Sequence, residues 1–270
     1  MVEVVADVGD LSNVDTIVCD LDGVIYIDGE ELDGAGEALV TLSDAGYRIV
    51  FVTNNSMKTP RSVVNLVACL TGYQANINDV ITSSMVTAEA LSGRVDRVYI
   101  VGSSQLKAEF DRYGFEVLEN HENAEAVVVG LDFDLTYDSL ARATLAIRSG
   151  ALFYATNADA SYPTSMGLKP GGGAIVAALE IATGVPPVIC GKPHRMMREI
   201  VKKRSVSQEI LVVGDQPSTD MAMGKAEGWR TCLVLSGVTQ DVALVPTHLK
   251  PDIVLDSFID IVPLFFGSDD

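Results

Sequence analysis

The sequence predicts an α/β protein built on mostly parallel sheets, and three observations predict it. Short β-branched apolar runs alternate with segments of helical period along almost the whole chain. The chain has 270 residues and is 48% hydrophobic, enough to bury a large core in one or two domains. Small polar or acidic residues stand at the ends of the apolar runs, where parallel sheets bind their ligands.

The elements follow in order. "VDTIVCD" predicts a strand, and "GAGEALVTLSDAG" a helix closed by Gly46. "YRIVFVTNN" is the next strand. "TPRSVVNLVACLTG" is the next helix, with Pro60 at its start and Gly72 after its end. The alternation continues through "RVYIVGS", "QLKAEFDRYG", "AEAVVVG", "YDSLARATLAIRSG", "ALFYATN" and "GGGAIVAALEIATG". It closes with "HRMMREIVKKRS", "EILVVGD", "MAMGKAEG" and "WRTCLVLSG". Such alternation implies right-handed βαβ units. Turn-rich breaks at "TGYQANINDVITSS" and "ATGVPPVICGKP" predict an inserted second domain over residues 80–188. The first domain is then discontinuous, built from residues 1–79 and 189–270.

Charge narrows the partners. With 37 acidic and 19 basic residues the chain carries a net charge of −18, which repels nucleic acid and anionic membrane surfaces. The acids form no tail. They suit either an ordinary soluble surface or adaptation to a salt-rich cytoplasm, where a dense acidic surface is screened. Cys19, Cys69, Cys190 and Cys232 lie far apart in apolar runs, so four buried free thiols are expected. "MVEVVADVGD" lacks the basic start of a signal peptide, and no apolar run reaches membrane-spanning length. A cytoplasmic location is expected.

Chemistry concentrates at four strand ends: Asp20 and Asp22, Thr53-Asn54-Asn55, Thr156-Asn157, and Gly214-Asp215. Residues i and i+2 of an extended segment share a side, so Asp20 and Asp22 address one point. Two close carboxylates repel unless a cation neutralises them, and oxygen-only ligands suit Mg²⁺. Asp215 supplies a third carboxylate, and Asp220 follows to support it. Thr53 and the asparagines after it can meet phosphate oxygens, and Lys192 in "CGKPH" offers a point charge. One carboxylate can then attack phosphorus while its neighbour moves protons. Each piece alone has a plain structural reading: D-x-D-G is a common turn, "TNN" a loop, "GKP" a helix start. Their order and strand context together point to one site.

"DLDGVIY", "FVTNNS", "GKP" and "GDQPSTD", in this order, resemble the four motifs of the haloacid-dehalogenase (HAD) superfamily of aspartate-nucleophile phosphohydrolases. "VTNNSMKTP", "VGLDFDLTYDSLARATLAIRSGALFYATNADASYPT" and "LVLSGVT" are similar to its NagD-like branch, which includes 4-nitrophenylphosphatases and nucleotide phosphatases. The resemblance implies a Rossmann-like parallel-sheet HAD core with an inserted α/β cap. It implies a Mg²⁺-dependent phosphomonoester hydrolase acting on a small organic phosphate through an aspartyl-phosphate. Carried over by position, Asp20 is the nucleophile and Asp22 the acid/base, with its main-chain carbonyl on Mg²⁺. Thr53 and Asn54 hold the phosphoryl group, with Asn55 and Asn157 as further substrate contacts. Lys192 balances charge, Asp215 ligates Mg²⁺, and Asp220 is a minor metal partner. The same likeness implies a homodimer through the cap. The chain departs from the usual pattern at Gln216-Pro217-Ser218 and at Ala158. A phosphotransferase or mutase using the same aspartyl-phosphate is the enzymatic alternative, and a non-catalytic phosphate-binding protein the other.

Weaker signals remain. Gly171 to Gly173 suit a flexible helix start, or a close approach of the cap to substrate, better than a phosphate loop, because neither nucleotide-binding glycine pattern is matched. His194 reads as a helix-start residue, Met196 and Met197 as core, and Trp229 as packing beside the last strands.

Overall fold

A computed structural model describes residues 11–164 and 167–267. These described residues divide into two compact units, one within residues 1–53, 61–81 and 198–270, the other within residues 54–60 and 82–197.

The first unit is built on a six-stranded sheet. Its order is Ile253–Leu255, Arg230–Val234, Ile210–Gly214, Thr16–Cys19, Arg48–Thr53 and Val80–Thr82. The pairings along Thr16–Cys19, Ile210–Gly214, Arg230–Val234 and Ile253–Leu255 are parallel. The central strand is buried at all of its positions, as a strand covered on both faces must be. Helix Ala35–Asp44 buries Ala35, Ala38, Leu39 and Leu42, one face of the helical period. Helix Pro60–Thr71 starts on its proline and is followed by Gly72 at φ 75°, a left-handed terminus that needs no Cβ. These elements enclose one core containing Ile17, Leu21, Leu39, Phe51, Val213 and Phe258.

The second unit has its own five-stranded parallel sheet, ordered Val188–Ile189, Leu152–Ala155, Ala126–Val129, Arg97–Val101 and Glu116–Leu118. Helices Tyr137–Arg148 and Gly172–Thr183 cover one face, closing a core of Tyr99, Val127, Val129, Ala146, Phe153 and Val176. Helix Ser104–Arg112 packs with a further helix, Ser83–Leu91, that its sequence did not announce. That helix buries Ser83, Ser84, Met85, Val86, Thr87, Ala88 and Leu91, so apolar and small polar residues surround it and no stripe appears. A hairpin of Ser161–Thr164 and Gly167–Pro170 was likewise unannounced. Its strands carry Pro163 and Pro170, residues that disguise a strand in sequence.

Gly171 to Gly173 begin a helix, and their lack of side chains has a specific cause. A Cβ on Gly171 would lie 2.3 Å from the Asp159 carbonyl oxygen, and one on Gly173 2.4 Å from that of Ala158. The glycines let the helix start rest directly on the backbone of residues 158–159. One expectation is corrected here: Cys19, Cys190 and Cys232 are buried, but Cys69 is exposed. It lies near the end of an amphipathic helix whose outer face meets solvent. Met197 and Trp229 are buried as expected, while Met196 is half-buried.

Candidate active site

The sheet register of the first unit brings its acidic strand ends to one level. Cys19 stands opposite both Phe51 and Val213, so Asp20 lies beside the ends of both flanking strands. The Asp20 backbone N–H donates to the Val213 carbonyl at 2.9 Å, which continues the ladder one residue further. Thr53 ends its strand 2% exposed. Asp215 follows the strand end at Gly214, and Asp220 sits in the π-helical turn Pro217–Met221 that the chain enters next. Asp20, Asp215 and Asp220 each bring one carboxylate oxygen within 4.8 Å of the others.

This arrangement costs free energy unless it is neutralised. Asp215 and Asp220 are buried and Asp20 is half-buried, and three like charges so close repel strongly in a medium poorer than water. Backbone and hydroxyl donors meet Asp215 and Asp220. The Val238 N–H donates to Asp215 Oδ2 at 2.6 Å, and Gln216 N–H and the Thr219 hydroxyl donate to Asp220 Oδ2 at 3.3 and 3.2 Å. An all-oxygen set of three converging carboxylates fits a hard divalent cation. Gly23 closes the other side. It has φ +86°, and a Cβ there would sit 2.4 Å from Asp215 Oδ2, so only glycine lets the turn after the D-x-D pair come this close.

The Asp22 carboxylate stands apart from this cluster. It is exposed, and its Oδ2 lies 3.5 Å from the hydroxyl of Tyr26, which donates to it. Burial, then the negative charges of Asp22 and Asp20, push the Tyr26 phenol far above its ordinary range. Tyr26 therefore remains a donor beside the acid pair. Tyr26 stands in "DLDGVIY", one tight turn from Asp22, but the motif alone gives it no task. The segment Ser236 to Val238, part of the "LVLSGVT" that resembles the NagD-like branch, likewise has no task assigned by the sequence. It follows the end of Arg230–Val234, and the strand-end rule points to it. The Ser236 hydroxyl donates to the Gly23 carbonyl at 2.7 Å, so this loop holds both Gly23 and Asp215.

The remaining candidates belong to the second unit and form a network of their own. The Asn54 amide oxygen accepts from the Lys192 backbone N–H at 2.7 Å, and its nitrogen donates to the Lys192 carbonyl at 3.2 Å. The same nitrogen reaches both carboxylate oxygens of Asp159, at 3.1 and 3.2 Å. Asn157 donates to the Asn54 carbonyl at 2.8 Å. Lys192 is 3% exposed and Asn157 5%. Asn54 thus spends its side chain on positioning Lys192 and the loop at Asp159, and what it can offer a phosphate is its backbone N–H. Asn55 turns inward to its own loop, its Oδ1 accepting from the Met57 N–H at 3.0 Å. Asp159 is the member of this network that sequence reasoning did not single out.

Comparison with known proteins places the chain. Residues 17–116 match the family model of the haloacid dehalogenase-like hydrolases, and residues 189–261 match a second, HAD-hydrolase-like model. The chain is 37% identical over 249 residues to the 5′-nucleotidase YutF of Bacillus subtilis, covering 90% of this chain and 96% of that one. The chain belongs to the haloacid dehalogenase-like hydrolases. Within this family it is similar to the p-nitrophenyl phosphatase from Archaeoglobus fulgidus, with a TM-score of 0.88 and 29% identity over 93% of this chain and 99% of that one. It is similar also to a glycerol phosphate phosphatase from Mycobacterium tuberculosis solved in complex with magnesium. There the TM-score is 0.82 and the identity 34%, over 92% of this chain and 76% of that one. The chain is a HAD-type phosphatase of the NagD-like branch, as its motifs implied. Among the described residues no helix is long and apolar enough to cross a membrane.

Proposed function

We propose that this HAD phosphatase hydrolyses small phosphomonoesters by way of an aspartyl-phosphate on Asp20, with Mg²⁺ as its cation. The observation that carries the reading is the convergence of the Asp20, Asp215 and Asp220 carboxylates at the carboxyl end of a parallel sheet. Asp20, Asp215 and Asp220 would hold the ion together with the Asp22 main-chain carbonyl. When bound, the ion offsets the charge that gathers on the phosphoryl oxygens. An Asp20 oxygen attacks phosphorus and the ester P–O bond breaks. Asp22, exposed and hydrogen-bonded by Tyr26, gives its proton to the leaving alcohol. Asp22 then takes a proton from the water that hydrolyses the aspartyl-phosphate, which restores both acids.

By the motif resemblance, Thr53 and the backbone of Asn54 and Asn55 hold phosphoryl oxygens, Lys192 supplies positive charge, and Asn157 supports the substrate loop. Residues 80–188 act as the cap. The substrate class follows the relatives, whose names span a nucleotide, an aryl phosphate and glycerol phosphate. Those names also favour hydrolysis over phosphoryl transfer to a second alcohol.

The test is phosphate release from p-nitrophenyl phosphate and from an alkyl phosphate such as glycerol phosphate. EDTA should abolish both activities and Mg²⁺ restore them. Asp20→Asn should abolish both even with Mg²⁺; wild-type turnover in that variant would refute the nucleophile. Asp22→Asn should lower kcat on the alkyl ester about 10²–10⁴-fold and less on the aryl ester, whose leaving group needs no proton. Equal losses on the two would remove Asp22 from the proton-donor role.

A further inference from the structure

The sheet of the second unit reverses its strand order at one place. Its first strand in the chain, Arg97–Val101, lies between the second, Glu116–Leu118, and the third, Ala126–Val129. The fourth and fifth, Leu152–Ala155 and Val188–Ile189, continue outward from the third. Connections therefore leave the first and third strands in opposite directions. That opens a crevice beyond their carboxyl ends, the place where open parallel sheets bind ligands. A cavity of about 300 Å³ lies there, lined by Tyr99, Ser103, Lys107, Glu119, Asp132 and Asp134 among others. None of these residues belongs to the catalytic machinery described above.

Tyr99 separates this crevice from an ordinary surface dimple. It is 6% exposed, its ring sits in the core with Val127 and Val129, and yet its hydroxyl makes no hydrogen bond among the described residues. The ring is buried while the hydroxyl lines the cavity, so its donor and acceptor positions are open to whatever occupies that space. Its surroundings are polar. Burial raises the phenol's pKa most, Arg142 works against this, and Asp138, Asp132 and Glu119 add to it.

The lining chooses the ligand. Among the described residues only Asp20, Asp215 and Asp220 bring three carboxylate oxygens within 4.8 Å of one another, so Glu119, Asp132 and Asp134 form no cation cage. Among the lining residues three separated acids face one cation, Lys107, and the nearby Arg142 is paired with Asp138, a balance that disfavours an anion such as a phosphate ester. Separated acceptors beside a tyrosine hydroxyl suit a neutral ligand rich in hydroxyls. Glu119 directly follows the second strand, where an acid in dinucleotide-binding sheets accepts from a ribose hydroxyl.

We propose that this crevice binds the ribose of an unphosphorylated nucleoside, with Glu119 and Asp132 accepting from its vicinal hydroxyls and Tyr99 donating to it. The test is calorimetric titration of the full chain with adenosine and with 2′,3′-dideoxyadenosine. Adenosine should bind, and the dideoxy compound at least about tenfold more weakly. Glu119→Gln and Tyr99→Phe should each weaken adenosine about tenfold while leaving p-nitrophenyl phosphate turnover unchanged. Glu119 is exposed and Phe keeps the buried ring, so both variants should melt as the wild type does. Asp132→Asn is the second variant should either of them melt low. Absent adenosine binding, equal binding of the two nucleosides, or wild-type affinity in the variants each overturns the proposal. So does displacement of adenosine by inorganic phosphate, which would relocate the binding to the catalytic carboxylates.

Discussion

Single residues decide how this site is held. Asp215 is wedged between a backbone donor, Val238, and a glycine whose φ of +86° no β-carbon could occupy without meeting the carboxylate. Gly23→Ala should therefore cost about 1–3 kcal/mol, read as a lower urea midpoint. It should also depress kcat more than KM, because Asp215 must move. The cysteines offer a separate check. Burial pushes the Cys190 thiol up to about 11, only partly countered by its hydrogen bond with Thr87, and burial raises Cys232 further. At pH 8 both stay protonated, whereas Cys69 is exposed. A thiol reagent should label one cysteine rapidly in the folded protein and the rest only after unfolding, and Cys69→Ser should remove the rapid phase. Sequence reasoning named the acids because carboxylates at strand ends announce themselves. It passed over Tyr26 and the Ser236 hydroxyl, whose roles depend on which loops meet.

At the scale of elements, the strands and amphipathic helices were legible and the uniformly buried helix was not. Ser83–Leu91 is held by its surroundings and by its cap, the Thr82 side chain accepting from the Met85 N–H at 3.3 Å. Thr82→Ala should cost about 1 kcal/mol and Leu91→Ala, at a fully buried position, about 2–5 kcal/mol, both measured by denaturant titration. Helix Ala222–Glu227 is tied to Arg198 and Lys202 through Glu227, with Arg198 Nε 2.7 Å from Oε1. The hydrogen bond from Lys202 is the largest cause of the lowered Glu227 pKa. A carboxylate with a lowered folded pKa stabilises above its ordinary value, about 4.3, and loses that contribution as the pH falls through the folded value. The stability difference between wild type and Glu227→Gln should thus be present at neutral pH and vanish in acid.

For the whole molecule, a net charge of −18 makes copies repel, so self-association needs an uncharged patch. The second unit has one. Tyr137, Leu145 and Ile181 are 88%, 52% and 85% exposed on helices Tyr137–Arg148 and Gly172–Thr183, beside a groove lined by Leu140, Ala141 and Ala178. We propose the homodimer through this face. Light scattering on Leu145→Glu/Ile181→Glu should give a monomer where the wild type gives a dimer; unchanged mass would remove this face from the assembly. The same charge bears on salt. Adaptation to a salt-rich cytoplasm requires the melting temperature to rise steeply with KCl, and a flat profile assigns the acids to an ordinary surface.

By itself the sequence determined the α/β class and the family, and it singled out Asp20, Asp22, Asp215 and Asp220 as candidate site acids at strand ends. Period, caps and strand-end carboxylates are local patterns, and local patterns survive in one dimension. Tertiary structure alone decided that the carboxylates of Asp20, Asp215 and Asp220 converge while that of Asp22 turns to Tyr26. It alone decided that Asn54 serves Lys192 and Asp159, and that Tyr99 ends beside a polar crevice. Those outcomes depend on strand order and on distances between residues far apart in the chain, which no window of sequence contains.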